Sequence, residues 1–225
     1  MTSARWPAGL ALTAWSYMWR TTVIHRRELR GAWPADGPPP VGSGVDMAGV
    51  QRPEDGAGPL FRRRYTARVR GSRMGAEQLM ARLRADPNVV VRGRIARFEK
   101  TAGEEGDMRV GDEFVVRMPG PWDGPIRAVD VTPRSFRFVT LAGHLEAGQI
   151  EWRAADDAGR LVFEIESWAR AGDRLSHLMH DKLRMAKEVQ LYMWTSVLER
   201  VADQVRGELD NGIDIETRRA DIVHP

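Results

Sequence analysis

The chain has 225 residues, a formal net charge of +3 and no cysteine. The absence of cysteine excludes disulfide scaffolds, thiolate catalysis and thiolate zinc sites, and it fits a cytoplasmic protein. Arginine and acidic residues are interspersed along the whole chain, so the small positive excess does not indicate a nucleic-acid-binding surface.

Residues 1–30 predict an N-terminal amphipathic helix that begins near Pro7. Trp15 and Trp19 share one side of it, and arginines follow. Two interpretations stay open: the aromatic face docks on the main domain, or the basic helix lies on an anionic membrane surface. We favour docking, because arginines suit the negative C-terminal end of a helix dipole. The apolar stretch 8–19 is too short to span a bilayer, so no integral membrane segment is predicted.

Residues 31–59 predict an extended connector rich in proline and glycine. The run Pro38-Pro39-Pro40 and the repeated glycines forbid a long helix or a central strand. Apolar residues within the connector, such as Val41 and Met47, indicate that it packs on the domain.

A compact domain is predicted over residues 60–206. Its first strand, at 61–69, alternates apolar residues with arginines, and a helix over 76–84 follows it and ends before Pro87. Strand candidates then follow one another without an intervening helix, which requires antiparallel pairing. These candidates lie within 89–100 and at 110–118, 126–131, 135–141, 149–154 and 161–168.

The last predicted helix begins at Asp173 and ends near Arg206, with apolar residues at helical spacing along its length. Residues 207–225 are charged and weakly patterned, and they predict a loose C-terminal tail. The predicted fold is therefore α+β, a curved antiparallel β-sheet wrapped around a long C-terminal α-helix. Because a curved sheet cannot fill its own concave side, this fold predicts a cavity between the sheet and the helix.

The segment from Arg127 to Trp168 carries a recognisable signature. It contains Phe136-Arg-Phe138, followed by Thr140-Leu-Ala-Gly-His-Leu-Glu-Ala-Gly148. This signature resembles that of an uncharacterised bacterial and plant family of domains of unknown function. The order of elements resembles the helix-grip fold of the START and birch-pollen-allergen (SRPBCC) superfamily. The resemblance implies a fold and supplies no ligand or catalytic residue.

Two pairs of side chains are candidates for acid–base chemistry. His144 titrates near neutrality and Glu146 beside it can fix its tautomer, although a structural role in a glycine-flanked turn is the favoured interpretation. Glu164 and Glu166 share one face of a strand. Inside the cavity they would form a proton-transfer site. We favour the alternative, in which they pair with arginines on the adjacent strand, because Phe163 needs the covered face.

His177 and His180 lie one helical turn apart, with Asp173 and Asp181 nearby. Two imidazoles and a carboxylate suit a metal ion, but no further ligand follows at a suitable spacing. We therefore predict that they are surface residues and that the protein has no metal ion or other cofactor.

The predicted function is binding of a small hydrophobic or amphipathic molecule in the cavity. The alternatives are a cyclase-like or hydrolase-like enzyme that uses His144 with a carboxylate, and a ligand-free interaction scaffold whose interior is solid. No phosphate loop, nucleophile elbow or nucleotide fingerprint is present. The sequence does not determine the oligomeric state. The residues predicted to bind the ligand are Trp122, Arg134, Phe138, His144, Trp152, Trp168, Met185, Val189, Tyr192 and Met193.

Overall fold

The structure is a computed structural model that describes residues 22–91, 93, 96–118, 123–172 and 180–221. In the last range, side chains are described from residue 190 onward. The helix predicted before residue 22 lies outside the described residues, as do residues 173–179 and Trp122.

In the described part of the chain, nine strands form one sheet and two helices accompany it. The strands are β1 (Ile24–Arg30), β2 (Ala57–Arg70), β3 (Arg97–Ala102), β4 (Glu113–Arg117), β5 (Asp123–Val131), β6 (Ser135–Thr140), β7 (Glu146–Asp157), β8 (Arg160–Ala171) and β9 (Glu208–Ala220). The helices are α1 (Ala76–Ala85) and α2 (His180–Gln204). Short 3-10 helices cover Pro53–Asp55 and Pro87–Val90.

The sheet is curved, and its strands lie in the order β1-β9-β2-β8-β7-β6-β5-β4-β3. Strands β3 to β7 each pair antiparallel with the next strand along the chain, because the connections are too short for a crossover. The five strands predicted between residues 110 and 168 are therefore confirmed as β4 to β8. The sheet as a whole is mixed, since β1 pairs parallel with β9 at one edge.

Both helices cover the same face of the sheet, which we call the inner face. Helix α2 lies against β2, β8 and β9. It buries Trp194, Val197, Leu198 and Val201 among the inner-face side chains. The predicted arrangement of a long helix held against a curved sheet is thus confirmed.

Two boundaries of the predicted domain are wrong. Residues 208–220 form strand β9 between β1 and β2 instead of a loose tail. Residues 24–30 form strand β1 instead of the end of a helix. The sheet therefore extends well beyond residues 60–206. Strand β9 is stabilised in the sheet by its apolar face. Ile213 and Ile215 alternate with acidic residues, so their side chains point to the same face and enter the core.

Residues 32–56, which we call the strap, run along the opposite, outer face of the sheet. Arginine side chains of the sheet donate hydrogen bonds to strap carbonyl groups. Arg127 Nη1 lies 2.7 Å from the Asp46 carbonyl oxygen, and Arg170 Nη1 lies 2.9 Å from that of Pro53. The strap therefore buries much of the outer face, which an open sheet would leave to solvent. Within the described ranges, no helix has an apolar stretch long enough to cross a bilayer.

Candidate functional site

Aromatic side chains fill the centre of the inner face. Trp152 on β7 lies at the middle of the group, with its ring centroid 5.4 Å from Phe136 and 5.9 Å from Phe98. Its ring also meets Trp194 of α2 edge to face, at 5.9 Å and 87°. All of these rings are buried. Sheet and helix therefore meet through an aromatic layer, in which edge-to-face contacts add to the stabilisation from burial.

Two polar groups in this aromatic layer are unsatisfied. The indole N–H groups of Trp152 and Trp194 are buried and have no hydrogen-bond partner in the part of the chain that the structure describes. Leaving a buried donor unpaired costs about 1–3 kcal/mol. The interior thus presents two donors that an acceptor atom of a bound molecule would satisfy.

The edge of the aromatic layer is polar where β7 begins. Glu146 accepts a 2.9 Å hydrogen bond from Gln190 Nε2 of α2, which ties this edge of the sheet to the helix. Tyr65 on β2 is buried nearby, and burial raises its pKa to about 12. The charge of Arg63 opposes that rise in pKa and the charge of Glu146 adds to it. Tyr65 is therefore a neutral hydroxyl group at physiological pH.

The imidazole of His144 binds the backbone instead of a carboxylate. Its Nδ1 lies 2.9 Å from the Glu146 backbone N–H, which donates to it in one tautomer, and 3.0 Å from the Glu146 carbonyl oxygen, to which it donates in the other. The carboxylate of Glu146 bonds Gln190 instead. This geometry is that of a structural residue in a turn.

The partly buried position of His144 leads to a pH prediction. Burial lowers its pKa below the ordinary 6.5, although the charge of Glu146 and the backbone hydrogen bond oppose this shift. Because the folded-state pKa is below the unfolded one, the neutral ring contributes its full stability above pH 6.5, and that contribution is lost as the pH falls towards the folded pKa. Urea unfolding should therefore show a decline in stability beginning near pH 6.5. His144→Gln, which does not titrate, should lack this decline; an unchanged slope in the variant would contradict the assignment.

Glu164 and Glu166 both lie on the outer face, away from the aromatic layer. Glu166 accepts hydrogen bonds from Arg62 at 2.7 Å and Arg64 at 3.0 Å, and Arg153 lies 2.8 Å away. Glu164 accepts from Arg153 at 2.8 Å. The pairing with arginines that the sequence favoured describes this geometry. Glu166 is nevertheless only 2% exposed, because it lies beneath the strap.

The structure divides the residues predicted to bind a ligand. Phe138, Trp152, Tyr192 and Met193 belong to the buried inner-face core. Trp168 is instead on the outer face, where it packs with Leu60, Ala220 and Trp33, so its assignment to the cavity is wrong.

Arg134 is also wrongly assigned to the cavity. It lies in the exposed turn between β5 and β6, where it pairs with Glu77 at 2.9 Å. Trp122 and His177 lie outside the described residues, and only the backbone is described for His180, Asp181, Met185 and Val189.

A family model described as "Domain of unknown function (DUF1990)" matches residues 56–200. No curated protein matches the sequence. A solved structure of ginseng major latex-like protein 151 from Panax ginseng is 13% identical, with a TM-score of 0.44, and the match covers 64% of this chain and 97% of that one.

Two further solved structures are similar at lower identity. Ara h 8.0201 is 8% identical, with a TM-score of 0.41, over 64% of this chain and 98% of that one. The di-domain ARO/CYC protein StfQ from the steffimycin biosynthetic pathway is 9% identical, with a TM-score of 0.45, over 68% of this chain and 52% of that one.

Proposed function

The chain belongs to the DUF1990 family of domains of unknown function, and we propose a function for it from its own residues. The protein binds one small, mainly apolar molecule that carries a hydrogen-bond acceptor. This molecule lies between the inner face and α2. The observation that carries this proposal is the pair of buried, unpaired indole N–H groups of Trp152 and Trp194. The two residues belong to β7 and α2 and their rings are in edge-to-face contact, so a molecule that binds at both separates the rings as it enters and then contacts sheet and helix together.

The chemistry of the surroundings fits such a molecule. Aromatic rings offer broad apolar contact, and burying apolar surface contributes about 25 cal/mol per Å² before the entropic cost of binding is subtracted. The two N–H groups supply orientation, as a few polar groups do in sites that are otherwise apolar. A ketone, ether or ester oxygen would accept from them.

The test uses a neutral solvatochromic naphthyl ketone as the probe. Trp152→Phe and Trp194→Phe each keep an aromatic ring and remove one N–H group, and we expect each to weaken probe binding about 5-fold, the value of one net hydrogen bond. Trp168→Phe is the matched control, because Trp168 Nε1 is also buried and unpaired in the described structure but lies on the outer face. Equal binding by all three variants would overturn the proposal.

Native mass spectrometry separates the proposal from the scaffold alternative. A co-purifying small molecule supports binding; its absence, together with failure of the wild-type protein to bind the probe, would favour a ligand-free scaffold. We do not propose a reaction. Within the described residues, the imidazole of His144 bonds backbone atoms, and Glu164 and Glu166 face away from the aromatic layer.

A further inference from the structure

Neighbouring strands of the inner face carry side chains in lines that run across the sheet. One of these lines, which we call the polar row, is polar although the next line is apolar. Arg63 on β2 lies directly opposite Ser167 on β8 and Thr217 on β9. The next inner-face residue of β2 is Tyr65, which is buried in the core. Residues two apart on a strand, and residues directly paired between strands, point to the same face of a sheet. Arg63, Ser167 and Thr217 therefore point together to the inner face.

The polar row has no hydrogen-bonding or ion-pair partner in the described structure. Neither the guanidinium of Arg63 nor the hydroxyl groups of Ser167 and Thr217 make a hydrogen bond or ion pair there. Ser167 is only 5% exposed. The guanidinium of Arg63 lies 4.7 Å from the centre of the Phe61 ring, and this cation–π contact orients it. The polar atoms of the row are not among the buried, unpaired atoms of the described structure, so a partly buried cation and two hydroxyl groups remain open to a ligand side by side.

Among the described residues, the acidic side chains near the polar row form no ion pair with Arg63. Glu28 on β1 is paired with Thr217, and from strand spacing its backbone is roughly 10 Å from that of Arg63. No ion pair joins Glu28 to Arg63 in the described residues. Glu146 is already bonded to Gln190. On the outer face, by contrast, the neighbouring arginines Arg62 and Arg64 both bind Glu166.

We propose that the polar row binds the carboxylate group of the ligand, so that the ligand is an amphipathic carboxylic acid. This inference rests on the proposed function and names the class of molecule bound at the same site. A guanidinium binds a carboxylate through two parallel hydrogen bonds. The hydroxyl groups of Ser167 and Thr217 donate to the remaining lone pairs of the carboxylate.

The spacing of the site sets the size of this acid. Trp152 on β7 is two strands away from Tyr65, which is itself two residues from Arg63. Strand and residue spacings then place the backbone of Trp152 roughly 12 Å from that of Arg63. The carboxylate and the apolar body of the ligand therefore occupy opposite ends of a molecule about the length of a medium-chain acid.

The test compares dodecanoate with dodecanol, which have the same alkyl chain. The affinity of each is measured by how well it displaces the bound naphthyl ketone, at concentrations too low for micelles to form. The wild-type protein should bind dodecanoate at least about 10-fold more tightly, as charge-assisted hydrogen bonds predict. Arg63→Gln should remove that advantage and leave dodecanol binding within about 2-fold. Arg68→Gln is the matched control, because Arg68 is on the same strand but pairs with Asp214 on the outer face. Circular dichroism checks that each variant is folded.

The outcomes distinguish this inference from the proposed function. Equal affinity for dodecanoate and dodecanol, with ketone binding still dependent on Trp152, would overturn the carboxylate site alone. An equal loss for both probes in Arg63→Gln would do the same, since the residue would then act on the fold. Tighter binding of dodecyl phosphate than of dodecanoate would assign the row to phosphate instead. Failure of the ketone and of both chain probes to bind would overturn both proposals.

Discussion

Ending the chain at Gly207 is expected to abolish cooperative folding. This truncation removes β9 from between β1 and β2, and with it the buried side chains of Ile213 and Ile215. Loss of each buried isoleucine side chain alone costs about 2–5 kcal/mol, while a typical domain is stable by only about 5–15 kcal/mol. The truncation also exposes the long edge of β2 and removes the strand with which β1 pairs. Urea unfolding followed by circular dichroism measures the effect.

Two controls accompany the truncation. A chain ended after Asp221 keeps all of β9 and tests the effect of shortening itself. Within the full chain, Ile213→Ala should cost about 2–5 kcal/mol. Asp214→Ala should change stability by less than about 1 kcal/mol, because its ion pair with Arg68 is exposed. Unchanged unfolding of the chain ended at Gly207 would show that residues 208–220 contribute nothing to the fold.

The sequence predicts the strands from β4 to β8 well because their pairing is local. Short turns join each strand to the next, so alternation of apolar residues and turn residues suffices. The pairing of β1 with β9 is different, since it joins Ile24 to Ile213 across nearly the whole chain. No short-range signal specifies such a pairing. In addition, the acidic and basic residues of β9 obscured the alternation of Ile213 and Ile215.

The assignment of Trp168 failed for a related reason. An aromatic residue on a strand does not by itself mark the cavity, because strand period places Trp168 on the face opposite to Phe163, which points inward. An aromatic side chain on the outer face is stable here because the strap provides a second covered surface, where Trp168 packs with Trp33. The sequence indicated that the connector packs on the domain without showing which face it covers.

The polar row of the inner face also has a signature in the sequence. The period-two pattern of β2 puts Arg63 on the apolar side with Phe61 and Tyr65. A charged residue on the buried side of a strand is unusual and marks a candidate site. Its neighbours Ser167 and Thr217 come from distant segments, so only the strand register brings the three together.

The second large effect is expected at Glu166. Replacing it with glutamine should lower the free energy of unfolding by about 3 kcal/mol at pH 7. This value is the lower end of the cost of breaking a buried ion pair. We expect the lower end because the amide oxygen of glutamine still accepts a hydrogen bond. The side chains of Arg62, Arg64 and Arg153 would lose their shared negative partner. Glu208→Gln is the control, because its pair with Arg70 is exposed, and its effect should stay within about 0.5 kcal/mol.

The pH dependence identifies the charge of Glu166 as the cause. Burial alone would raise its pKa, but hydrogen bonds from Arg62, Arg153 and Arg64 outweigh burial and hold the pKa below the ordinary 4.5. A lowered folded-state pKa means that the stabilisation is complete above pH 4.5 and is lost as the pH falls through the folded pKa. Urea unfolding of the wild-type protein and of Glu166→Gln should therefore converge below pH 4.5. A difference that stays constant from pH 7 to pH 3 would instead assign the loss to packing, since a protonated carboxyl group and an amide are both neutral.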